Sequence, residues 1–220
     1  MCGRFAFFSP VEAVRSWFPG AQVPALEPHY NLAPSQSIAV LRDTGDAGRE
    51  VALLRWGLVP SWAKDPAIGH RLINARAETI AEKPSFRAAF RRRRCVILAN
   101  GFYEWQPRES GAKQPWYIRA VDDRPLLLAG IWEHWERGEE PLQTCAIITT
   151  AANEFMQPVH QRMPVMLSFE SLSAWLEADG TELASAQLLL QAPKLEMHPV
   201  SRAVNNASHD GPDLIGSVVG

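Results

Sequence analysis

"RCVILANGFYEW", residues 94–105, decides how this chain folds. Its β-branched and aromatic side chains suit a pleated surface, and the run from Cys95 to Trp105 reads as strand rather than helix. Within it, period-two alternation puts Tyr103 and Trp105 on one sheet face and Phe102 and Glu104 on the other. Segments 37–42, 51–59, 116–121, 126–135 and 144–150 share that character, each rich in Val, Ile, Leu, Trp or Tyr and bounded by Gly, Pro or Asp. Helical patterns are fewer. Ser9 is the expected N-cap of a short helix, with Pro10 at its first position, Glu12 at N3, and Val14, Trp17 and Phe18 on one face before Pro19-Gly20 ends it. Further helices are expected over 76–93, with a break before Pro84, over 169–178 after Ser168, and over 181–191 after Gly180. With no repeat, low-complexity tract or linker, the expectation is one α+β domain over residues 1–220. Its core is an antiparallel or mixed β-sheet curled toward a barrel with flanking helices.

Composition narrows the function classes. The chain has 220 residues, 46% of them hydrophobic, enough to bury a substantial core. A net charge of −2 supplies no global field toward nucleic acid or membrane, so any anion-binding surface must be local. Basic residues do cluster at Arg87 and at Arg91 to Arg94, where the default reading is a solvated helix end at a negative dipole terminus. Three cysteines without a C-x-x-C pair argue against a disulfide framework and a zinc site, and neither a metal nor a cofactor is expected. Cys95 and Cys145 sit in apolar runs and read as buried strand residues. No stretch has the length of a membrane span and "MCGRFAFFSP" lacks the regions of a signal peptide, so a reducing cytoplasmic setting is expected, without a membrane partner.

Cys2 stands apart. It is small enough for the initiator methionine to be trimmed, and the expected mature chain then carries a free amine and a thiol on one residue, a 1,2-aminothiol. An α-amine titrates near pH 7.7–8.0 in general, so an appreciable fraction is nucleophilic at about neutral pH. Such a group converts an aldehyde to a carbinolamine, then an imine, and the thiol closes onto the imine carbon as a five-membered thiazolidine. That sequence needs proton-transfer groups, for which Glu104 and His160 are suitable types, and an amide such as Asn74 to orient the terminus. Each has a plainer reading when taken alone: Asn74 as a helix cap or turn residue, Glu104 as an exposed strand carboxylate, His160 as a structural hydrogen-bonder, and Arg4 and Arg76 as surface ion-pair partners.

Together the residues resemble the SRAP (SOS response-associated peptidase) family. The likeness runs through "MCGRF" at 1–5, "YNLAPSQ" at 30–36, "WGLVPSW" at 56–62, "INARAET" at 73–79, "RCVILANGFYEW" at 94–105, "HQRMPVML" at 160–167 and "HPVSRAVNN" at 198–206. The resemblance implies covalent capture of abasic sites in single-stranded DNA, including single-strand/duplex junctions, as a reversible thiazolidine crosslink that protects the strand from cleavage. It makes Cys2 the nucleophile, Asn74 the group orienting its amine, Glu104 a proton-transfer group, and His160 an aid to sugar ring opening and crosslink reversal. Arg4, Arg76 and Arg162 look like phosphate contacts, Trp56 and Trp62 fall in the tryptophan motif beside the DNA path, and Pro34 and Thr150, the latter favoured over Thr149, complete the DNA-facing set. His29 departs from the family pattern, where arginine precedes "YN". A monomer is expected.

Two other classes remain open. An N-terminal-nucleophile hydrolase resembling glutamine amidotransferases also begins "MCG" and uses the cysteine thiol with its own amine as base. A non-covalent single-strand binder would leave Cys2 incidental. The "peptidase" of the family name fits removal of a leader or self-release, since no Cys-His-Asn protease signature is present.

Overall fold

Residues 94–105 are extended, but as two strands in two different sheets, with Asn100 as the joint. The structure is a computed structural model that describes residues 2–177 and 193–218. In chain order its strands are β1 Phe5–Phe7, β2 His29–Leu32, β3 Ser37–Asp43, β4 Arg49–Trp56, β5 Asn74–Arg76, β6 Arg94–Ala99 and β7 Gly101–Gln106. They continue with β8 Gln114–Ala120, β9 Leu126–Trp135, β10 Leu142–Ala151, β11 Arg162–Pro164, β12 Met166–Leu167 and β13 Leu195–Pro199. The α-helices among the described residues are α1 Val11–Trp17, α2 Arg87–Arg92 and α3 Leu172–Glu177.

The curl toward a barrel is complete in one of the sheets. β10 pairs β4, β4 pairs β3, β3 pairs β6, β6 pairs β9, and β9 returns to β10, which closes a ring of five strands. The seams are antiparallel except β4/β10, where Arg55 lies level with Thr144 and Trp56 with Cys145. β5 and β11 extend β10, and β12 extends β9. A second, antiparallel sheet runs β13-β8-β7-β1-β2. Its two faces pack against different cores: Phe102 belongs to the main cluster, whereas Tyr103 joins Ala6, Tyr117, Val200, Val204 and Leu214 in a smaller one. The alternation expected of residues 102–105 therefore holds, and Glu104 is buried rather than solvated.

The break at Asn100 has a local cause. Its Oδ1 accepts from the Phe8 amide at 2.8 Å and the Ser9 amide at 3.1 Å, and its Nδ2 donates to Ser9 Oγ at 2.8 Å, which takes the chain out of the β6 ladder. Gly101 follows because Tyr117 leaves no space: a Cβ there would stand 2.4 Å from Tyr117 Cζ and 2.7 Å from the Ile118 carbonyl oxygen. The same contacts correct the capping expectation. Ser9 is occupied by Asn100, so Pro10 takes the N-cap position of α1 and its carbonyl accepts from Ala13 and Val14.

Other boundaries move for similar reasons. The strand expected over 51–59 ends at Trp56, since Gly57 has φ +125° and lies so close to Gly69 that a Cβ would sit 2.7 Å from its carbonyl oxygen. The helix expected over 76–93 shrinks to α2. Residues 74–76 are a strand beside β10, and the Ala77 amide continues that ladder to the Thr149 oxygen at 2.9 Å, so helix cannot start there. α3 accounts for most of the helix expected over 169–178, and the helix expected over 181–191 lies outside the described residues. The arginine run divides: Arg91 and Arg92 are exposed at the end of α2, Arg93 donates to Glu133 at 2.7 Å, and Arg94 is buried over the rings of Phe90 and Trp175. Cys95 and Cys145 are buried strand residues as expected. No helix among the described residues is long and apolar enough to cross a membrane.

Candidate active site

Cys2 is carried to the centre of the molecule by β1. The β1/β7 register sets Phe5 opposite Phe102, and the Tyr103 amide donates to the Arg4 carbonyl at 2.9 Å, so continuing the register brings Gly3 level with Glu104. Cys2 is fully buried in the same cluster as Phe5 and Trp56, whose rings lie 5.2 Å apart. Burial pushes the Cys2 thiol far above its ordinary range, and the negative charge of Glu104 raises it further. Both effects keep it a neutral thiol in this setting.

Asn74 reaches Cys2 from the other sheet. Asn74 lies level with Ile147 on β10, and the Ile73 carbonyl just before it accepts from both the Ile147 amide at 3.1 Å and Trp56 Nε1 at 3.0 Å. Held there, Asn74 Nδ2 donates to the Cys2 carbonyl at 2.8 Å, while Asn74 Oδ1 is buried without a hydrogen-bond partner. A buried acceptor left unpaired is costly, and this one lies on the amide that already holds Cys2.

His160, Arg76 and Arg162 share a groove beside this centre. This groove, of about 760 Å³, is lined by Arg76, Trp105, Lys113, His160, Gln161 and Arg162 among others. It flanks the buried group, since Arg76 is two residues from Asn74 and Trp105 adjoins Glu104. His160 Nδ1 lies 2.9 Å from the Arg162 amide nitrogen and 3.1 Å from the Arg162 carbonyl oxygen. Nδ1 without a proton accepts from the amide, and Nδ1–H donates to the carbonyl, so the position offers a partner for either tautomer.

The predicted DNA-facing residues divide sharply. Arg76 is exposed on the groove wall. Arg162 is bound bidentately to Glu78, at 2.6 and 2.9 Å, and also donates to the Thr149 carbonyl at 2.7 Å. The hydrogen bonds from Arg162 hold the Glu78 carboxyl below its usual range. Arg4 sends Nη1 inward to Asn31 Oδ1 and the Val204 carbonyl, both at 2.8 Å, and burial lowers its pKa. Trp56 is fully buried and offers no face to a base, whereas Trp62 is 51% exposed. Pro34 is half-buried in the turn that Ser35 completes with φ 75°. Thr150 lies level with Met163, while Thr149 lies level with Arg76 and is the threonine that shares its sheet face. Thr149 is nonetheless fully buried, whereas Thr150, the residue expected to contact the strand, is half-buried. His29, the departure from the family pattern, pairs with Asp210 at 2.7 Å.

Glu78 is absent from the sequence-predicted site because the pattern over 76–93 predicts a helix. Asn74, Arg76 and Glu78 alternate with Ala75 and Ala77, a period of two that fits a strand and its continuation better than a helix. Among the described residues no group of three His, Cys, Asp or Glu side chains is placed to hold a metal.

Comparison with known proteins gives the chain a family. The chain is 43% identical over 224 residues to the abasic site processing protein YoqW of Bacillus subtilis, covering 99% of this chain and 100% of that one. It is 34% identical to the abasic site processing protein YedK of Escherichia coli, covering 86% and 84% of the two chains. A crystal structure of a protein from Bacteroides thetaiotaomicron superposes with a TM-score of 0.86 at 25% identity, covering 99% of this chain and 100% of that one. The pattern of the family described as SOS response associated peptidase (SRAP) matches residues 1–207, and the chain belongs to that family.

Proposed function

We propose that this protein processes abasic sites, capturing them covalently in single-stranded DNA through a Cys2 freed of Met1. The reading is supported by the relatives' names and carried by one observation: Asn74 holds the Cys2 carbonyl and keeps a second, unpaired polar atom in the same buried place. Asn74 Oδ1 is then the acceptor for the freed Cys2 amine, which orients its lone pair. The amine nitrogen attacks the open-chain aldehyde carbon, and the carbinolamine loses water to give an imine. The thiol sulfur adds to the imine carbon, its proton passes to nitrogen, and the thiazolidine is closed. Glu104 moves protons between nitrogen and the departing oxygen, and His160 serves sugar ring opening and the reverse reaction. The raised thiol pKa suits this order, because the thiol stays protonated until the electrophile is in place.

Recognition of the strand rests on local features, as the net charge of −2 requires. Arg76, foremost because it is exposed, with Arg162 and Arg4 supplies phosphate contacts, and Trp62 offers a stacking surface worth about 1–3 kcal/mol for a base. A flexible single strand can bend to present the sugar to a buried nucleophile, which a continuous duplex opposes. Removal of the imine by ring closure suppresses β-elimination, so the crosslink shields the strand.

The test is intact-protein mass spectrometry after mixing with a uracil-containing single strand treated with uracil glycosylase. The expected product has the summed masses of protein and oligonucleotide less one water, survives heating without borohydride, and is absent from Cys2→Ala. A protein whose measured mass shows Met1 removed and which gives no adduct overturns the reading.

A further inference from the structure

Glu78 has no part in the chemistry above, yet it occupies the binding fork of a proposed phosphate ligand. Arg162 Nη1 and Nη2 donate to the two oxygens of Glu78, and Nη2 also donates to Thr149. The third nitrogen, Nε, is buried without a hydrogen-bond partner. The arginine side chain is 17% exposed and the carboxylate 48%, so the acid is the solvent-side member of the pair. Arg76, two residues earlier, stands exposed on the wall of the same groove. Two of the groove's three cations, Arg76 and Arg162, are therefore in different states: the first exposed to an incoming strand and the second already paired.

We propose that Glu78 is a specificity-determining residue, an internal stand-in for phosphate that keeps Arg162 from binding the backbone of undamaged single strands. Carboxylate and phosphate oxygens meet a guanidinium fork in the same bidentate way, so a phosphate replaces Glu78 without moving Arg162. An ion pair with one half in water is weakly held, and the exchange is open to a strand anchored nearby. Anchoring by the Cys2 adduct raises the local concentration of the neighbouring phosphate, which an intact strand passing through the groove does not achieve. Arg162 then engages after capture has begun. This inference rests on the proposed capture of abasic DNA.

The experiment compares wild type, Glu78→Gln, Glu78→Asp and Glu78→Gln/Arg162→Ala by fluorescence polarisation with an intact single-stranded oligonucleotide between 50 and 200 mM salt. Release of one phosphate-binding cation steepens the slope of log affinity against log salt by about 0.7, so Glu78→Gln gains about 2–3-fold over that range relative to wild type. Glu78→Asp keeps the wild-type slope, and the double variant loses the gain. A residue that merely braced the loop would lower the melting temperature and affinity together without steepening the slope. A Glu78→Gln slope equal to or shallower than wild type overturns the proposal, and Glu78→Ala provides the same comparison if the glutamine variant does not fold. Wild type is also assayed for the heat-stable adduct: its absence sinks the functional reading itself, whereas its presence with an unchanged Glu78→Gln slope sinks the role of Glu78 alone.

Discussion

β6 and β7 are consecutive in the chain, separated by Asn100, yet they do opposite work. β6 is a stave of the closed barrel, paired on both sides by β3 and β9, and all six of its residues are buried. A closed barrel leaves its member strands no free edge, which makes it a stable frame. β7 lies in the open sheet between β1 and β8, facing a different core on each side. It carries a carboxylate, Glu104, that is 3% exposed. Burying such a group opposes folding unless it is well partnered, and the proposed proton transfer gives a reason to retain it. Scaffold and the proposed chemistry thus fall on adjoining strands, and Asn100 between them binds the amides of Phe8 and Ser9, just past the β1 strand whose pairing with β7 positions Cys2.

Three substitutions test that division. Glu104→Gln keeps the shape and removes the charge, so the rate of adduct formation with abasic single strands is expected to fall about 10²–10⁴-fold, with little change in melting temperature. A large loss of stability with an unchanged rate would place β7 with the frame. Leu98→Ala, on β6, is expected to destabilise the fold by about 2–5 kcal/mol in urea unfolding, leaving the capture rate of the folded fraction intact. Loss of rate at full stability would break the comparison from the other side. Asn100→Ala is expected to cost about 1–3 kcal/mol, because the amides of Phe8 and Ser9 lose their acceptor, and hydrogen exchange at those two amides should accelerate before that of β6. Uniform acceleration across β6 and β7 would show that the joint and the barrel open as one unit.

Legibility differed with the kind of residue. Strands at 126–135 and 37–42 were readable because their β-branched and apolar content is continuous, and β9 and β3 occupy nearly those bounds. Short strands were not: β1, β2 and β5 have three or four residues, too few to display a period, and they exist because a neighbouring ladder accepts them. The sequence offers Asn74 as an orienting amide or as a cap or turn residue, and it is neither cap nor turn but a strand residue bonded to Cys2. Trp56 and Trp62 look alike in "WGLVPSW", and one is core while the other is on the surface, because Gly57 turns the chain between them.

The sequence by itself determined the α+β class, the cysteine directly behind Met1, and the polar residues that no core requires. Side-chain period, turn residues and chemical type are local properties, and local properties are written in order along the chain. The tertiary structure alone decided that 94–105 splits between two sheets, that Asn74 meets the Cys2 carbonyl from 72 positions away, and that Arg162 is closed by Glu78 while Arg76 stays open. Those facts depend on strand register across sheets and on which charges share a buried space. They arise when distant segments pair, and no window of sequence contains them.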